Sequence, residues 1–274
     1  MRLGDLRDHF HTKADWIPPD HRGEAIHVGS ADDEARRIGT GWVACATNLR
    51  AAAADGCDLF ISHEHPFASD AGVEHGRRTA WGRQREAICR EAGMALMHQH
   101  DTWDHWPVYG MRDSWARHLG LGEPTRVLDY ANPNTLEVKW GRRSLGIYET
   151  APTTLDAYAR RVAGRCRELR TEGVTVTGDP AAKVRTVAIG VGCHIPSFEC
   201  REAGADVLIQ VYDRALQTTV RIPLAELGAN VIVVEHGTAE IPAMRDMARY
   251  LNETFEEVEA TFYCREPISR VVTP

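Results

Sequence analysis

Long apolar runs are missing from this chain. No stretch approaches about 18 consecutive apolar residues, so no membrane-spanning helix is expected. Lysine is scarce, found only at Lys13, Lys139 and Lys183, and 32 basic residues face 39 acidic ones for a net charge of −7. That balance argues against nucleic acid as a partner, which calls for a basic face. The seven cysteines, at 45, 57, 89, 166, 193, 200 and 264, contain no CxxC pair and are odd in number. A disulfide framework and a zinc knuckle are thereby disfavoured, and a reduced compartment is expected. The first eight residues are charged and lack the apolar core of a signal peptide, which makes the cytoplasm the expected location. No sequence feature assigns an organic cofactor.

What the chain does have is a recurring unit: a helix end, a glycine, a few apolar residues, then histidine and carboxylate. The first runs Gly56-Cys57-Asp58-Leu59-Phe60-Ile61-Ser62-His63-Glu64-His65-Pro66. The second carries Met94-Ala95-Leu96-Met97-His98-Gln99-His100-Asp101 and continues through Trp103 to Asp104 and His105. The third runs Val231-Ile232-Val233-Val234-Glu235-His236 and reaches Glu240. Short apolar runs bounded by glycine or proline read as buried strands. In open α/β sheets functional groups collect outside the carboxyl ends of parallel strands. Three such strands would aim their ligands at one point.

Along the chain, α/β segments flank a small β segment near residues 123–150, with short antiparallel strands at 127–128, 136–138 and 145–148. Helices are expected over 81–92, 113–119, 197–203, 221–227 and 241–254, and from a capping Thr153 or Thr154 through Cys166. Gly56-Cys57-Asp58-Leu59 and Gly204-Ala205-Asp206-Val207 look like counterparts, which suggests a duplicated lobe. The expected fold is α/β: two related lobes with mixed, mainly parallel sheets and the metal site between them at strand C-terminal ends. The lobes are placed at 1–122 and 123–274, with discontinuous sharing of terminal elements allowed.

Imidazole and carboxylate together suit zinc, iron or manganese, whereas magnesium and calcium prefer oxygen alone. His236-x-x-x-Glu240 and His100-x-x-x-Asp104 share one spacing, read as a strand-end histidine followed by a carboxylate one helical turn on. His63-Glu64 adds an adjacent pair. This set exceeds what one tetrahedral ion with an open position needs, so two divalent ions are the better count. Asp101 rivals Asp104. His98, His105 and His194 are read as ordinary histidines, and Trp103 and Trp106 as packing or pocket-wall residues. Gly190 and Gly192 are read as making a tight turn around Cys193.

The chain resembles the Nif-three-like family, described as dinuclear metal-centre hexameric proteins or GTP cyclohydrolase type-2 homologues. The resemblance rests on Asp58 to Pro66, His100 to Asp104, Thr177-Gly178-Asp179-Pro180, Gly190 to Cys193, Gly204 to Ile209 and Glu235 to Glu240. It implies His63, Glu64, Asp104, His236 and Glu240 as metal ligands, with His65, His100 and Asp101 as alternative ligands or proton shuttles. It also implies a homohexamer and the absence of the extra insert of longer members. His63-Glu64-His65 replaces the commoner HH-P, leaving the second ligand open between Glu64 and His65. The family's acidic residue closely followed by histidine after GADVxIT is not kept in Gln210-Val211-Tyr212-Asp213-Arg214, so a supporting group is not carried over there.

These readings point to a metal-dependent hydrolase. Two divalent ions (Zn, Fe or Mn) would activate water against a cyclic C–N bond of a small heterocycle. A non-catalytic metal-binding or regulatory oligomer is the alternative.

Overall fold

The computed structural model describes residues 1–17, 24–129, 145–190, 192, 197–215, 218–265 and 272. The expected strand at 136–138, Val191, Cys193 and His194 lie outside them. The chain forms two compact units, one of residues Met1–Tyr109 with Ala243–Glu266, the other built mainly of Gly110–Pro242. The first unit breaks after Tyr109 and resumes at Ala243, so the greater part of the C-terminal helix and the last strand belong to it.

The first unit contains α1 (Leu3–Lys13), β1 (Ile26–Val28), β2 (Arg37–Gly41), α2 (Ala46–Ala54), β3 (Leu59–Ser62), α3 (Val73–Arg78), α4 (Ala80–Ala92), β4 (Ala95–His98) and α5 (Asp101–Asp104). The second contains α6 (Met111–His118), β5 (Arg126–Leu128), β6 (Leu145–Thr154), α7 (Leu155–Glu168), β7 (Thr175–Thr177), β8 (Lys183–Ile189), α8 (Ser197–Glu202), β9 (Val207–Val211), α9 (Tyr212–Ala215), α10 (Thr218–Glu226) and β10 (Val231–Val234). Helix α11 (His236–Thr254) begins in the second unit, and β11 (Glu259–Phe262) belongs to the first.

The first sheet has the order β1-β4-β3-β2-β11, parallel except for β1. The second is β5-β6-β8-β9-β10-β7, with β8, β9 and β10 parallel and the others antiparallel. Both units therefore repeat one plan: three parallel strands in sequence order, with an antiparallel strand beside the third. The proposed counterparts match in detail. Asp58 Oδ2 accepts from the amides of Arg36 (2.8 Å) and Arg37 (2.9 Å). Asp206 Oδ2 accepts from those of Arg185 (2.8 Å) and Thr186 (2.9 Å). Each carboxylate ties the start of one strand to its parallel neighbour, after a glycine at positive φ (Gly56 +71°, Gly204 +87°) that a β-carbon would strain.

Strands β3, β4, β9 and β10 are buried along their whole length, as parallel strands covered on both faces must be. Phe60 and Leu96 pack with Leu49, Ala52, Phe67 and Cys89 in the first unit. Leu208 and Val231 pack with Ile147, Ala188, Cys200 and Leu224 in the second. The approach to β4 is set by helix ends. Thr79 Oγ1 accepts from the Gly82 amide (3.1 Å), and Gly93 in the left-handed region (φ +65°) stops α4.

Of the three histidine-terminated strands, β3 and β4 pair in the first sheet and β10 lies in the second. One expectation is corrected. The final helix starts at His236, not at 241, so His236 and Glu240 both lie on it. Glu235 causes the early start: its Oε2 accepts from the Thr238 amide (2.7 Å) and hydroxyl (3.0 Å), satisfying a first-turn donor.

Candidate metal centre

In the first unit, His63 leaves the end of β3 by extending its ladder: its amide donates to Gly41 O (3.1 Å), and that of Glu64 to Trp42 O (2.8 Å). His63 is fully buried, and its ring stacks on His100 with centroids 4.2 Å apart. His63 Nε2 lies 3.6 Å from Asp104 Oδ1, and His100 Nδ1 lies 3.8 Å from Asp104 Oδ2. One donor atom each from His63, His100 and Asp104 falls within 4.8 Å of the others. His100 caps α5 and Asp104 ends it, which is the one-turn spacing read from the sequence. Asp101, the rival, instead bonds the His100 ring through Oδ1 at 2.9 Å. Burial opposes charge on His100, but Asp104, Asp101 and Glu64 together outweigh it and hold this imidazole well above its ordinary pKa.

This loop is pinned by a residue that gave no signal in the sequence. The buried Glu24 Oε1 accepts from the amides of His100 (2.9 Å) and Thr102 (2.6 Å) and from the Thr102 hydroxyl (2.8 Å). Burial lifts the Glu24 carboxyl to about 7 in spite of those bonds.

In the second unit, His236 opens α11 between two carboxylates. Its Nε2 is 2.9 Å from Glu240 Oε1, and its Nδ1 is 2.5 Å from Asp213 Oδ2. With the ring hydrogen on Nδ1, shared with Asp213, Nε2 and Glu240 Oε1 together offer two donor atoms suited to a cation. Glu240 is 2% exposed. Gly192, at φ +52°, faces the pair, and a β-carbon there would stand 3.2 Å from Glu240 Oε1 and 3.9 Å from His236 Nε2. Asp213, a carboxylate in the first turn of the helix after β9, is a site residue that the sequence reading does not assign.

A further imidazole group surrounds His65. Its ring centroid lies 4.5 Å from that of His27 and 5.0 Å from that of His98. Burial lowers the pKa of all three. His27 falls to about 4, with His65 and Arg77 adding to the effect, and His98 to about 2 among neighbouring imidazoles. His105 and the tryptophans pack, as expected. Trp103 stacks on Trp106 with centroids 5.3 Å apart and donates to Ala243 O (3.1 Å). The six described cysteines carry no disulfide.

Residues 13–267 match the family described as Duf34/NIF3 (NGG1p interacting factor 3). The chain belongs to the Duf34/NIF3 family. A relative from Streptomyces coelicolor, named GTP cyclohydrolase 1 type 2 homolog, is 30% identical over 209 residues, which is 72% of this chain and 69% of that protein. Among solved structures, Staphylococcus aureus protein SA1388 superposes with a TM-score of 0.77 at 17% identity, over 100% of this chain and 99% of its own. A Bacillus cereus protein related to NIF3 gives 0.75 at 15% identity, again over 100% and 99%. These two establish the fold of the Duf34/NIF3 chain and nothing finer. Among the described residues no helix is long and apolar enough to cross a membrane.

Proposed function

We propose that this protein is a metal-dependent hydrolase, with His63, Glu64, Asp104, His236 and Glu240 as ligands of a dinuclear centre. The observation that carries the proposal is the repeated donor pair. After its third parallel strand each unit opens a helix with a histidine, and a carboxylate follows four residues later: His100 and Asp104, then His236 and Glu240. The donor chemistry fits a divalent ion of borderline softness, Zn, Fe or Mn. Such ions supply Lewis acidity, polarising an electrophile and lowering the pKa of water toward neutrality.

The chain's own residues have distinct tasks. Asp213 holds the His236 ring through Nδ1, which orients Nε2 as the donor atom. His100, fixed by Asp101 at Nδ1, carries a proton toward the substrate's leaving nitrogen through its other ring nitrogen. Glu24 keeps the His100 turn in place. His65 is assigned neither ligand nor shuttle duty in this centre.

The relative's name, GTP cyclohydrolase 1 type 2 homolog, supports a cyclic C–N bond of a small heterocycle as the substrate class. The same proposal takes the protein as a cytoplasmic homohexamer. The test is metal-reconstituted protein incubated with a panel of purine nucleotides and lactams, followed by mass spectrometry. Ring opening that disappears in Glu240→Ala supports the proposal. Stoichiometric metal with no turnover across the panel would leave the binding-protein reading in its place.

A further inference from the structure

The imidazoles of His27, His65 and His98 are drawn from three separate segments of the first sheet. His98 ends β4, His65 follows the end of β3, and His27 lies on the edge strand β1. One nitrogen of each lies within 4.8 Å of the other two. His27 sits at the register shift between Ile26 and Val28, where β1 pairs with β4. Bulges of this kind re-aim a side chain and recur beside functional sites. His27 Nε2 is buried and has no hydrogen-bond partner among the described residues. Packing alone leaves that nitrogen unexplained, because buried polar atoms are almost always satisfied.

We infer that His27, His65 and His98 form a second cation site, distinct from the proposed dinuclear centre, that takes a single zinc-like transition ion. Three imidazoles without a carboxylate disfavour magnesium and calcium and suit Zn²⁺, with a fourth position left for water or a ligand. Nitrogens around tetrahedral zinc lie about 3.3 Å apart, given Zn–N near 2.0–2.1 Å, so the rings close inward when the ion enters. His65 has the most to give up, because its Nδ1 accepts from the Phe67 amide (3.0 Å). Ligation at Nδ1 replaces that bond, and ligation at Nε2 turns the ring away from it. His65 is therefore the weakest of the three ligands. Arg77, whose Nη1 donates to His27 O (3.4 Å), is a positive charge beside the site, and Glu86 at 3.7 Å offsets it in part. An ion here ties the three-residue edge strand β1 to β3 and β4, so its occupancy shows as thermal stabilisation.

The test uses the full-length chain, with Zn²⁺ titrated calorimetrically and crystals soaked in Zn²⁺ examined by anomalous scattering at the zinc edge. The expected result is a peak among the three rings, and one fewer ion per chain in both His27→Gln and His98→Gln. A zinc-dependent rise in melting temperature is expected in wild type and reduced in both variants. His65→Gln weakens the site without removing it. A peak in soaked crystals with no corresponding loss in solution overturns the inference as adventitious binding, and so does full stoichiometry in a folded His27→Gln or His98→Gln protein. Asp104→Asn separates the two proposals. If it abolishes the peak near His63 and keeps the one at His27, the two sites are independent. If wild type shows no peak near His63 but does show one at His27, the dinuclear centre fails and this site stands.

Discussion

Asp213→Asn isolates one interaction with a magnitude that follows from the geometry. The wild-type carboxylate meets His236 Nδ1 at 2.5 Å, close enough for a strong hydrogen bond to a charged acceptor. Such bonds contribute roughly 1.5–3 kcal/mol when shielded. Asp213 is 35% exposed on its side chain and the His236 ring 14%, so water screens part of this and the lower end applies. A loss of about 1.5 kcal/mol corresponds to roughly tenfold weaker metal binding, the low end of what removing a histidine's outer partner costs. Asparagine keeps the size but removes the charge, and its amide is free to present a donor to Nδ1, which would favour the wrong tautomer. Isothermal titration of Mn²⁺ and Zn²⁺ into wild type, Asp213→Asn and Asp213→Glu reads the effect directly. Partial recovery in Asp213→Glu with an unchanged melting temperature supports an orienting role. Equal affinity in wild type and Asp213→Asn would refute the reasoning, since the Nδ1 contact would then have no bearing on Nε2.

Other outcomes follow from the same coordinates. The folded-state pKa of Glu24, raised from 4.5 to about 7, makes its contribution to stability complete below about pH 4.5 and lost as pH rises through 7, by about 3 kcal/mol in all. Glu24→Gln keeps an acceptor and removes the charge, so urea melts should show a flatter stability profile between those pH values and a more stable protein at pH 8; an unchanged profile would exclude Glu24 as its source. Gly192→Ala places a β-carbon 3.2 Å from Glu240 Oε1 at a φ of +52°, so metal affinity should fall several-fold while the backbone strain costs about 1 kcal/mol. Asp58→Ala and Asp206→Ala each remove a carboxylate from two strand amides and should destabilise by comparable amounts, about 1–2 kcal/mol after allowance for exposure, in denaturant titrations. A several-fold disparity between the two costs would argue against equivalent roles in a duplicated plan.

Much of this was legible in the sequence because the physics is local. Apolar runs between glycines marked β3, β4 and β10, and Thr154 capped α7 by accepting from the Ala157 amide (3.3 Å). The aspartates at 58 and 206 betrayed the duplication, because a carboxylate that bonds two amides recurs wherever that turn recurs. Strand order within each sheet was not legible, since burial patterns do not encode which strands pair. The start of α11 was missed because Glu235 was read as part of a strand end and not as a cap. Glu24, His27 and Asp213 carry no motif. Their roles come from tertiary placement, 76 residues from His100 for Glu24 and 23 residues from His236 for Asp213.

The measurement closest to the central claim is the number of divalent ions retained per chain after dialysis, compared between wild type and a His63→Ala, His236→Ala double variant. The account predicts about two fewer ions in the variant, the complement of a two-metal centre, with its circular dichroism unchanged. Equal metal content in the two folded proteins would contradict it.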